Sequence, residues 1–250
     1  MTINGWNSRY LEILQEFSYS KFEDSESAKQ LSLILKNNYP LINLRKIVQN
    51  KIVFVIGAGP SLSKSISILK KYDKITKIVA DSAIKAIVEN KIRPDIVVTD
   101  LDGDIKSLKK MGKTKTVFVV HAHGDNLEKL SLAKEFRNCL GTTQGKSFGK
   151  IYNFGGFTDG DRCVFLARFL KAKKIILFGM DFGPNIGKYS KTKISNKKIK
   201  LKKLRKGKKL LEWLASKNSL DLYTTSKQIK GFKKIPYKNI KNIVSKENAF

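Results

Sequence analysis

Asp100, Asp102 and Asp104 stand two residues apart in "PDIVVTDLDGD", residues 94–104, directly after the β-formers Ile96, Val97, Val98 and Thr99. Alternate residues of an extended chain point the same way, so Asp100 and Asp102 are expected to present two carboxylates to one point. Gly103 permits a sharp turn just beyond them. Crowded carboxylates repel one another unless a cation lies between them. Mg²⁺ suits such a cluster, because it takes oxygen ligands and commonly binds one or two carboxylates together with substrate phosphates. Asp104 reads either as a third ligand or as the N-cap of the next helix. An EF-hand is excluded, since its loop needs glycine at the sixth position and glutamate at the twelfth, where this chain has Ile105 and Met111.

The acidic turn sits in a strongly basic chain. Fifty Lys and Arg against 21 Asp and Glu give a formal net charge of +29. Such a field draws polyanions: nucleic acid, an acidic membrane surface or phosphorylated small molecules. Charge alone does not choose among them. Residues 188–209, "KYSKTKISNKKIKLKKLRKGKK", contain no acidic residue. Aromatic residues are not interleaved with this run, so it offers no stacking platform for single-stranded nucleic acid. A nucleic-acid-binding protein led by this segment is kept as an alternative reading, with steep salt-dependent affinity as its mark, but a nucleic-acid partner is not the first expectation.

Further polar segments carry groups able to meet an anion. In "GAGPSL", Gly57 and Gly59 let the backbone turn and approach a ligand, Pro60 follows, and Ser61 is placed to cap a helix whose N–H groups would face a phosphate. The segment lacks the lysine of a P-loop, and Leu62 stands where a full G-x-G-x-x-G has its third glycine. "ADSA" holds Asp81 and Ser82. "HAHGDN" holds the two histidines of the chain, His121 and His123, with Gly124, Asp125 and Asn126. The pair reads as ligand contacts, as transition-metal ligands or as structural residues; no further Cys or His completes a zinc set. "GTTQ" holds Thr142, Thr143 and Gln144. "GGFTDGDR" holds Gly155, Gly156, Thr158, Asp159 and Arg162, with Asp159 and Asp161 also suited to a helix N-terminus and Arg162 able to clamp a phosphate. "GMDFG" holds Asp181. Asp159 and Asp181 are the candidates for a general base.

These segments need a scaffold that brings them together. From residue 51 short apolar runs alternate with helical patterns: strands at "KIVFVIG", "ITKIVA", "PDIVVTD", "TKTVFVV", "NCLGTTQ", "KKIILFGMD" and "LDLYTTS", with helices between them, including "NLEKLSLAKEF" and "LKKLRKGKKLLEWLAS". This rhythm predicts an α/β fold, a mainly parallel Rossmann-like sheet with helices on both faces. In such sheets ligands bind at the carboxyl ends of the strands, and every polar segment above falls at that end. Residues 1–50 read as a helical extension with helices at "SRYLEILQEF", at "SESAKQLSLIL" capped by Ser25, and at "LINLRKIVQ" after Pro40. The expected organisation is this extension, a catalytic domain over residues 51–226 and a basic tail over 227–250. The basic stretch is expected to be a mobile loop in its first half and helical in its second. Neither a membrane span nor a signal peptide is visible. Cys139 and Cys163 read as reduced core thiols of a cytoplasmic protein. Small-molecule partners are expected, and a homo-oligomer is left open.

Taken as a set, "GAGPSL", "ADSA", "PDIVVTDLDGD", "HAHGDN", "GTTQ", "NFGGFTDGDR" and "LFGMDFG" resemble the archaeal-type 6-hydroxymethyl-7,8-dihydropterin pyrophosphokinases of methanopterin and folate synthesis. The likeness spans roughly residues 50–225. It implies transfer of a diphosphate from ATP to a reduced pterin with release of AMP. It further implies Mg²⁺ on Asp100 and Asp102, helped by Asp81 or Asp104. Gly57, Gly59 and Ser61 would line the nucleotide pocket, and Arg162 with lysines of 188–209 would neutralise the triphosphate. A more distant similarity is to thiamine pyrophosphokinase, carried by Ala80-Asp81, Pro94 to Asp102 and Phe157-Thr158-Asp159, with Arg162 where that family has a lysine nearby. "GAGPSL" also looks like the nucleotide-binding turn of a bacterial sialyltransferase group and of flagellin-modifying glycosyltransferases. A nucleotide-sugar transferase is therefore the competing reading, and the acidic turn favours the kinase.

Overall fold

Apolar runs closed by a glycine or polar turn become strands covered on both faces, and the amphipathic stretches between them become the covering helices. A computed structural model describes residues 2–35, 37–190, 196–217 and 221–245. Among these residues the strands are β1 Ile52–Ile56, β2 Thr76–Ala80, β3 Ile96–Thr99, β4 Val117–Ala122, β5 Cys139–Thr143, β6 Lys174–Phe178, β7 Asp221–Thr224 and β8 Lys233–Lys234. They pair in parallel in one sheet, ordered β5-β4-β3-β2-β1-β6-β7-β8. The helices are α1 Trp6–Phe17, α2 Lys21–Ile34, α3 Leu41–Val48, α4 Leu62–Lys71, α5 Ile84–Glu89, α6 Ile105–Gly112, α7 Asp159–Phe169, α8 Lys197–Ser216 and α9 Ile240–Val244. The α/β expectation holds, with helices on both faces.

Side chains alternate along each strand, which divides the core in two. Val53 and Val55 of β1 face a cluster built with α1, α3, α7 and α8. Ile52, Phe54 and Ile56 face the opposite cluster, built with α2, α4, α5, α6 and α9. The chain runs outward from β1 to β5, then returns to place β6 on the other side of β1. The order reverses between β1 and β6, which is where an open α/β sheet leaves a crevice for ligand. Here the two strands are laced beyond their ends: Gly57 N donates to Phe178 O at 2.9 Å, and Gly59 N donates to Gly179 O at 2.7 Å.

Four local readings change. Ser20, not Ser25, caps α2, its hydroxyl accepting from Glu23 N at 3.2 Å; Phe22 in that first turn is exposed, so no apolar periodicity marks it. Residues Gly124–Glu135 form successive 3₁₀ turns, not an α-helix. Their inward positions Leu130 and Ala133, followed by Phe136, recur every third residue, the period of a 3₁₀ helix. The helix α8 begins at Lys197 and takes in residues that read as loop; residues 191–195 of that basic stretch lie outside the described residues. Beyond residue 226, β8 adds to the sheet edge and Ile240 and Val244 of α9 enter the core. No helix among the described residues is long and apolar enough to cross a membrane.

Candidate active site

The acidic turn joins β3 to α6. It does not stay extended after Asp100. Leu101 takes φ +69°, and its N–H donates to Thr99 Oγ1 at 2.8 Å. This left-handed bend is uncommon for a branched residue, and it is held by complete burial of the leucine side chain. The bend, not strand alternation, brings Asp100 and Asp102 together. It also aims Asp102 N and Gly103 N at Asp81, whose Oδ2 accepts both at 3.1 and 2.9 Å. Asp81 begins the connection after β2 and is fully buried. A Cβ on residue 103 would lie 2.0 Å from Asp81 Oδ1, so glycine is required for this approach.

One oxygen from each of Asp81, Asp100 and Asp102 lies within 4.8 Å of the others. Asp81 Oδ1 and Asp100 Oδ1 are buried without a hydrogen-bond partner. Orphaned acceptors at that spacing fit a hard divalent cation with oxygen ligands. The third carboxylate of the group is therefore Asp81. Asp104, the other candidate, is turned aside: its Oδ1 accepts from Ser107 N at 3.0 Å and Ser107 Oγ at 2.8 Å, capping α6.

Electrostatics follow from crowding. Burial, then the charges of Asp100 and Asp102, push Asp81 well above the ordinary carboxylate range. Burial and the neighbouring Asp100 also raise Asp102. Burial raises Asp100 as well, but the hydrogen bond and charge of His123 outweigh it and hold Asp100 low; His123 Nε2 stands 3.6 Å from Asp100 Oδ2. Across the cavity, burial first and the Asp100 charge second raise Asp159 well above its usual range.

The histidines leave the end of β4. His121 is buried, and its Nδ1 lies 3.3 Å from Thr142 Oγ1 on β5. Asn126 fixes this edge: its Nδ2 donates to Asp100 O at 2.8 Å and His121 O at 2.7 Å, and its Oδ1 accepts from His123 N at 3.1 Å. Asn126 thus binds the backbone of the acidic turn to that of β4. Gly124 N donates to Asp24 Oδ1, and Asp24 Oδ2 accepts from Tyr10 Oη at 2.7 Å and Gln144 Nε2 at 3.0 Å. The buried Asp24 of α2 therefore positions both loops, a role with no local signature.

The turn before α7 completes the floor. Asp161 closes a capping box with Thr158 and also accepts from Phe157 N at 2.6 Å. Arg162, nearly buried, donates from Nη2 to Phe157 O at 2.9 Å and from Nη1 to Asp159 Oδ1 at 3.3 Å. It holds Asp159 as well as carrying positive charge. At the strand-switch crevice, Ser61 N and Ser61 Oγ both donate to Asp181 Oδ2 at 2.9 Å. The expected cap of α4 by Ser61 is absent, because that hydroxyl is taken by Asp181.

These groups surround one cavity of about 500 Å³. Of the sequence candidates, Gly57, Gly59, Pro60, Ser82, Asp100, Asp102, His121, His123, Gln144, Thr158, Asp159, Arg162 and Asp181 line it. Ser61, Asp81, Asp104, Gly124, Asp125, Asn126, Thr142, Thr143, Gly155 and Gly156 stand outside the wall, several of them supporting it. Lys200 and Lys203 of α8 reach in from above, and Tyr19 enters from the N-terminal helices. Lys203 Nζ lies 5.3 Å from the centre of the Tyr19 ring. Burial lowers Lys203, but the Tyr19 hydroxyl and the charges of Asp125 and Asp100 more than offset it and keep the ammonium protonated. Lys206 secures α8 to α1 through Glu16 Oε2 at 2.9 Å and Glu12 Oε2 at 3.4 Å. Tyr19 lines the cavity but belongs to no motif in the sequence, whereas Phe157 and Phe182 line it from within "GGFTDGDR" and "GMDFG", where the polar neighbours drew the attention.

A family model described as 6-hydroxymethylpterin diphosphokinase MptE-like matches residues 26–187. The chain belongs to this family. Its relatives include proteins named 6-hydroxymethyl-7,8-dihydropterin pyrophosphokinase from three organisms. That of Methanocaldococcus jannaschii is 42% identical over 238 residues, 88% of this chain and 99% of the relative. That of Pyrococcus furiosus is 46% identical over 218 residues, 84% and 92% of the two chains. That of Methanothermobacter thermautotrophicus is 38% identical over 221 residues, 86% and 95%. Among solved structures, the MAf glycosyltransferase from Magnetospirillum magneticum AMB-1 aligns with a TM-score of 0.59 at 14% identity, over 86% of this chain and 38% of that one. This likeness shows the fold alone. The matched span of the diphosphokinase family takes in the acidic turn, both histidines and the turn before α7, while Tyr19, Lys200 and Lys203 lie outside it.

Proposed function

We propose that this chain transfers the terminal diphosphate of ATP to the hydroxymethyl oxygen of 6-hydroxymethyl-7,8-dihydropterin and releases AMP, a step of methanopterin or folate assembly. The observation that carries this reading is a cation-fitting trio of carboxylates at the carboxyl ends of β2 and β3, in a cavity of about 500 Å³ that also receives Lys200 and Lys203. That volume suits small-molecule substrates. Asp81, Asp100 and Asp102 would hold Mg²⁺. When bound, the ion supplies neutralisation of phosphate charge and orientation of the polyphosphate. The Gly57–Pro60 turn lets a phosphate approach backbone, and Lys200 and Lys203 offset the remaining charge. Arg162 keeps Asp159 facing substrate. Tyr19, Phe157 and Phe182 offer aromatic faces to a flat ring. Phosphoryl transfer asks mainly for positioning and charge neutralisation, which this constellation supplies. We assign residues 51–226 as the catalytic domain, with the segments on either side contributing cover, and assign the reaction to the cytoplasm.

The test is chromatography of nucleotide products from purified protein with ATP, Mg²⁺ and the reduced pterin. AMP should appear one-to-one with pterin diphosphate. ADP as the main product refutes diphosphate transfer. Failure to turn over, with hydrolysis of nucleotide-sugar instead, replaces it with glycosyl transfer.

The raised carboxyl groups also fix a pH dependence. Asp81, Asp102 and Asp159 bind protons more tightly folded than unfolded. Their contribution to stability is therefore full below the ordinary carboxylate range and is lost as pH rises through the raised folded values. Asp100 works in the opposite sense, losing its contribution as pH falls. Within the trio, a cation must displace the protons that Asp81 and Asp102 hold at low pH, and at higher pH it relieves the repulsion among the ionised carboxylates. The rise in Tm on adding Mg²⁺ is expected to be larger near about pH 7.5 than near about pH 5. Calorimetry at the two pH values checks this, and an equal rise at both contradicts the cluster as the cation site.

A further inference from the structure

The cavity wall contains an imidazole whose tautomer is fixed from behind. His121 is buried in β4, with Nδ1 3.3 Å from Thr142 Oγ1. The Thr142 hydroxyl donates to Val120 O at 3.2 Å, so its hydrogen is committed and its oxygen can only accept from the ring. The proton of the neutral imidazole therefore sits on Nδ1. Nε2 is left as a bare lone pair, buried without any protein partner, on a residue that lines the cavity. The groups acting on this ring are Arg162 from α7, His123 from the end of β4 and Asp100 from the acidic turn. Burial first, then the neighbouring Arg162 and His123, keep the ring neutral.

The competing carboxylates are each committed through one oxygen. Asp181 Oδ2 accepts from the Ser61 amide and hydroxyl, and Asp159 Oδ1 is paired with Arg162. The orphaned oxygens of Asp81 and Asp100 belong to the cation-fitting trio. Among the described residues, Nε2 of His121 is the one buried side-chain atom of a cavity-lining residue, other than a carboxylate oxygen, that has no partner.

We infer that His121 Nε2 is the general base that takes the proton from the attacking hydroxymethyl group, and that Thr142 is the positioning residue that fixes its tautomer. The inference rests on the diphosphate-transfer reading above. As the hydroxymethyl oxygen bonds to the β-phosphorus, the bond from that phosphorus to the AMP oxygen breaks and its electron pair leaves on AMP. The hydroxyl proton passes to Nε2, and the resulting imidazolium later yields it to solvent.

The chain has two histidines, so a long-range ¹H–¹⁵N spectrum of imidazole-labelled protein contains two ring systems, assigned by the His123→Gln variant. The expected result for His121 at neutral pH is a protonated Nδ1 and an unprotonated Nε2. An Nε2-protonated ring or an imidazolium overturns the inference without reference to turnover. In kinetics, His121→Phe should lower kcat by about 10²–10³-fold, within the range general bases contribute, with KM for ATP nearly unchanged and AMP still the product. His121→Gln serves if the phenylalanine variant fails to fold. Thr142→Val should reduce kcat, and the ring should lose its single tautomer in the same spectrum. Full activity in the folded His121 variants sinks the base while leaving diphosphate transfer intact. A wild-type protein that releases no AMP sinks the function itself.

Discussion

Asp100→Asn and Asp102→Asn should each lower Mg²⁺-dependent turnover by about 10³-fold or more, because a cation held at the proposed site would supply several kcal/mol and each 1.4 kcal/mol is a factor of ten in rate. An amide coordinates more weakly than a carboxylate and carries no charge, so the cluster loses both a ligand and part of the field that attracts a cation. The fold survives. Asn126 grips the backbone carbonyl of residue 100, not its side chain, and Asp102 is exposed at the cavity. Thermal stability distinguishes this from damage. Without metal, Asp102→Asn should melt at or above the wild-type temperature, since a carboxyl raised first by desolvation and then by Asp100 has been removed. Added Mg²⁺ should then stabilise the wild type and leave the variant nearly unmoved. Steady-state kinetics with scanning calorimetry decides the matter: full turnover of either variant at ordinary Mg²⁺ levels removes the proposed metal role.

Gly179→Ala costs about 3 kcal/mol or more, from a left-handed backbone that an L residue adopts at a penalty and from a collision that cannot relax. Gly179 has φ +63°. A Cβ there would lie 2.2 Å from Gly57 O and 3.1 Å from Leu62 Cβ. The obstructing atom is main chain, pinned by the bonds that lace the ends of β1 and β6. Moving it would open the crevice where the order of strands reverses. Gly183→Ala is the control: its nearest neighbour is Lys227 Nζ at 3.1 Å, the end of a flexible side chain, and it should cost less than about 1 kcal/mol. Urea denaturation of both variants measures the difference, and equal midpoints would contradict the lacing of the two strands.

The strands were legible because a buried parallel strand writes itself as an apolar run with a glycine or carboxylate at its end. "KIVFVIG" and "PDIVVTD" became β1 and β3 within a residue or two, and the polar segments fall together for the reason expected of such sheets. What stayed hidden depends on contacts between residues far apart. Whether Asp81 or Asp104 joins Asp100 and Asp102 turns on β2 lying beside β3 and on the left-handed bend at Leu101, and neither follows from local spacing. Asp24 looks like one more acidic residue in a helix, yet it binds Tyr10, Gly124 and Gln144. The 3₁₀ run was missed because apolar positions three apart also occur in α-helices. The segment after residue 226 looked like a tail because its lysines dominate the composition, while Ile240 and Val244 suffice to dock it.

The salt bridges from Lys206 to Glu12 and Glu16 tie the first helix made by the ribosome to a late one. At cellular synthesis speeds, on the order of 10–40 s pass between emergence of α1 and of the lysine that meets it. During that time Tyr19 has no Lys203 beside it, and the wall that α8 provides does not exist. Trp6 finds its partner sooner, donating from Nε1 to Gln144 O at 2.9 Å, so the nascent chain can seat α1 on the growing sheet before the cover arrives. The carboxylates, histidines and glycine turn are all present by then, without the two lysines. A half-made chain therefore holds a trough in place of a chamber, and the cavity gains its last wall and its two lysines only when α8 is in place.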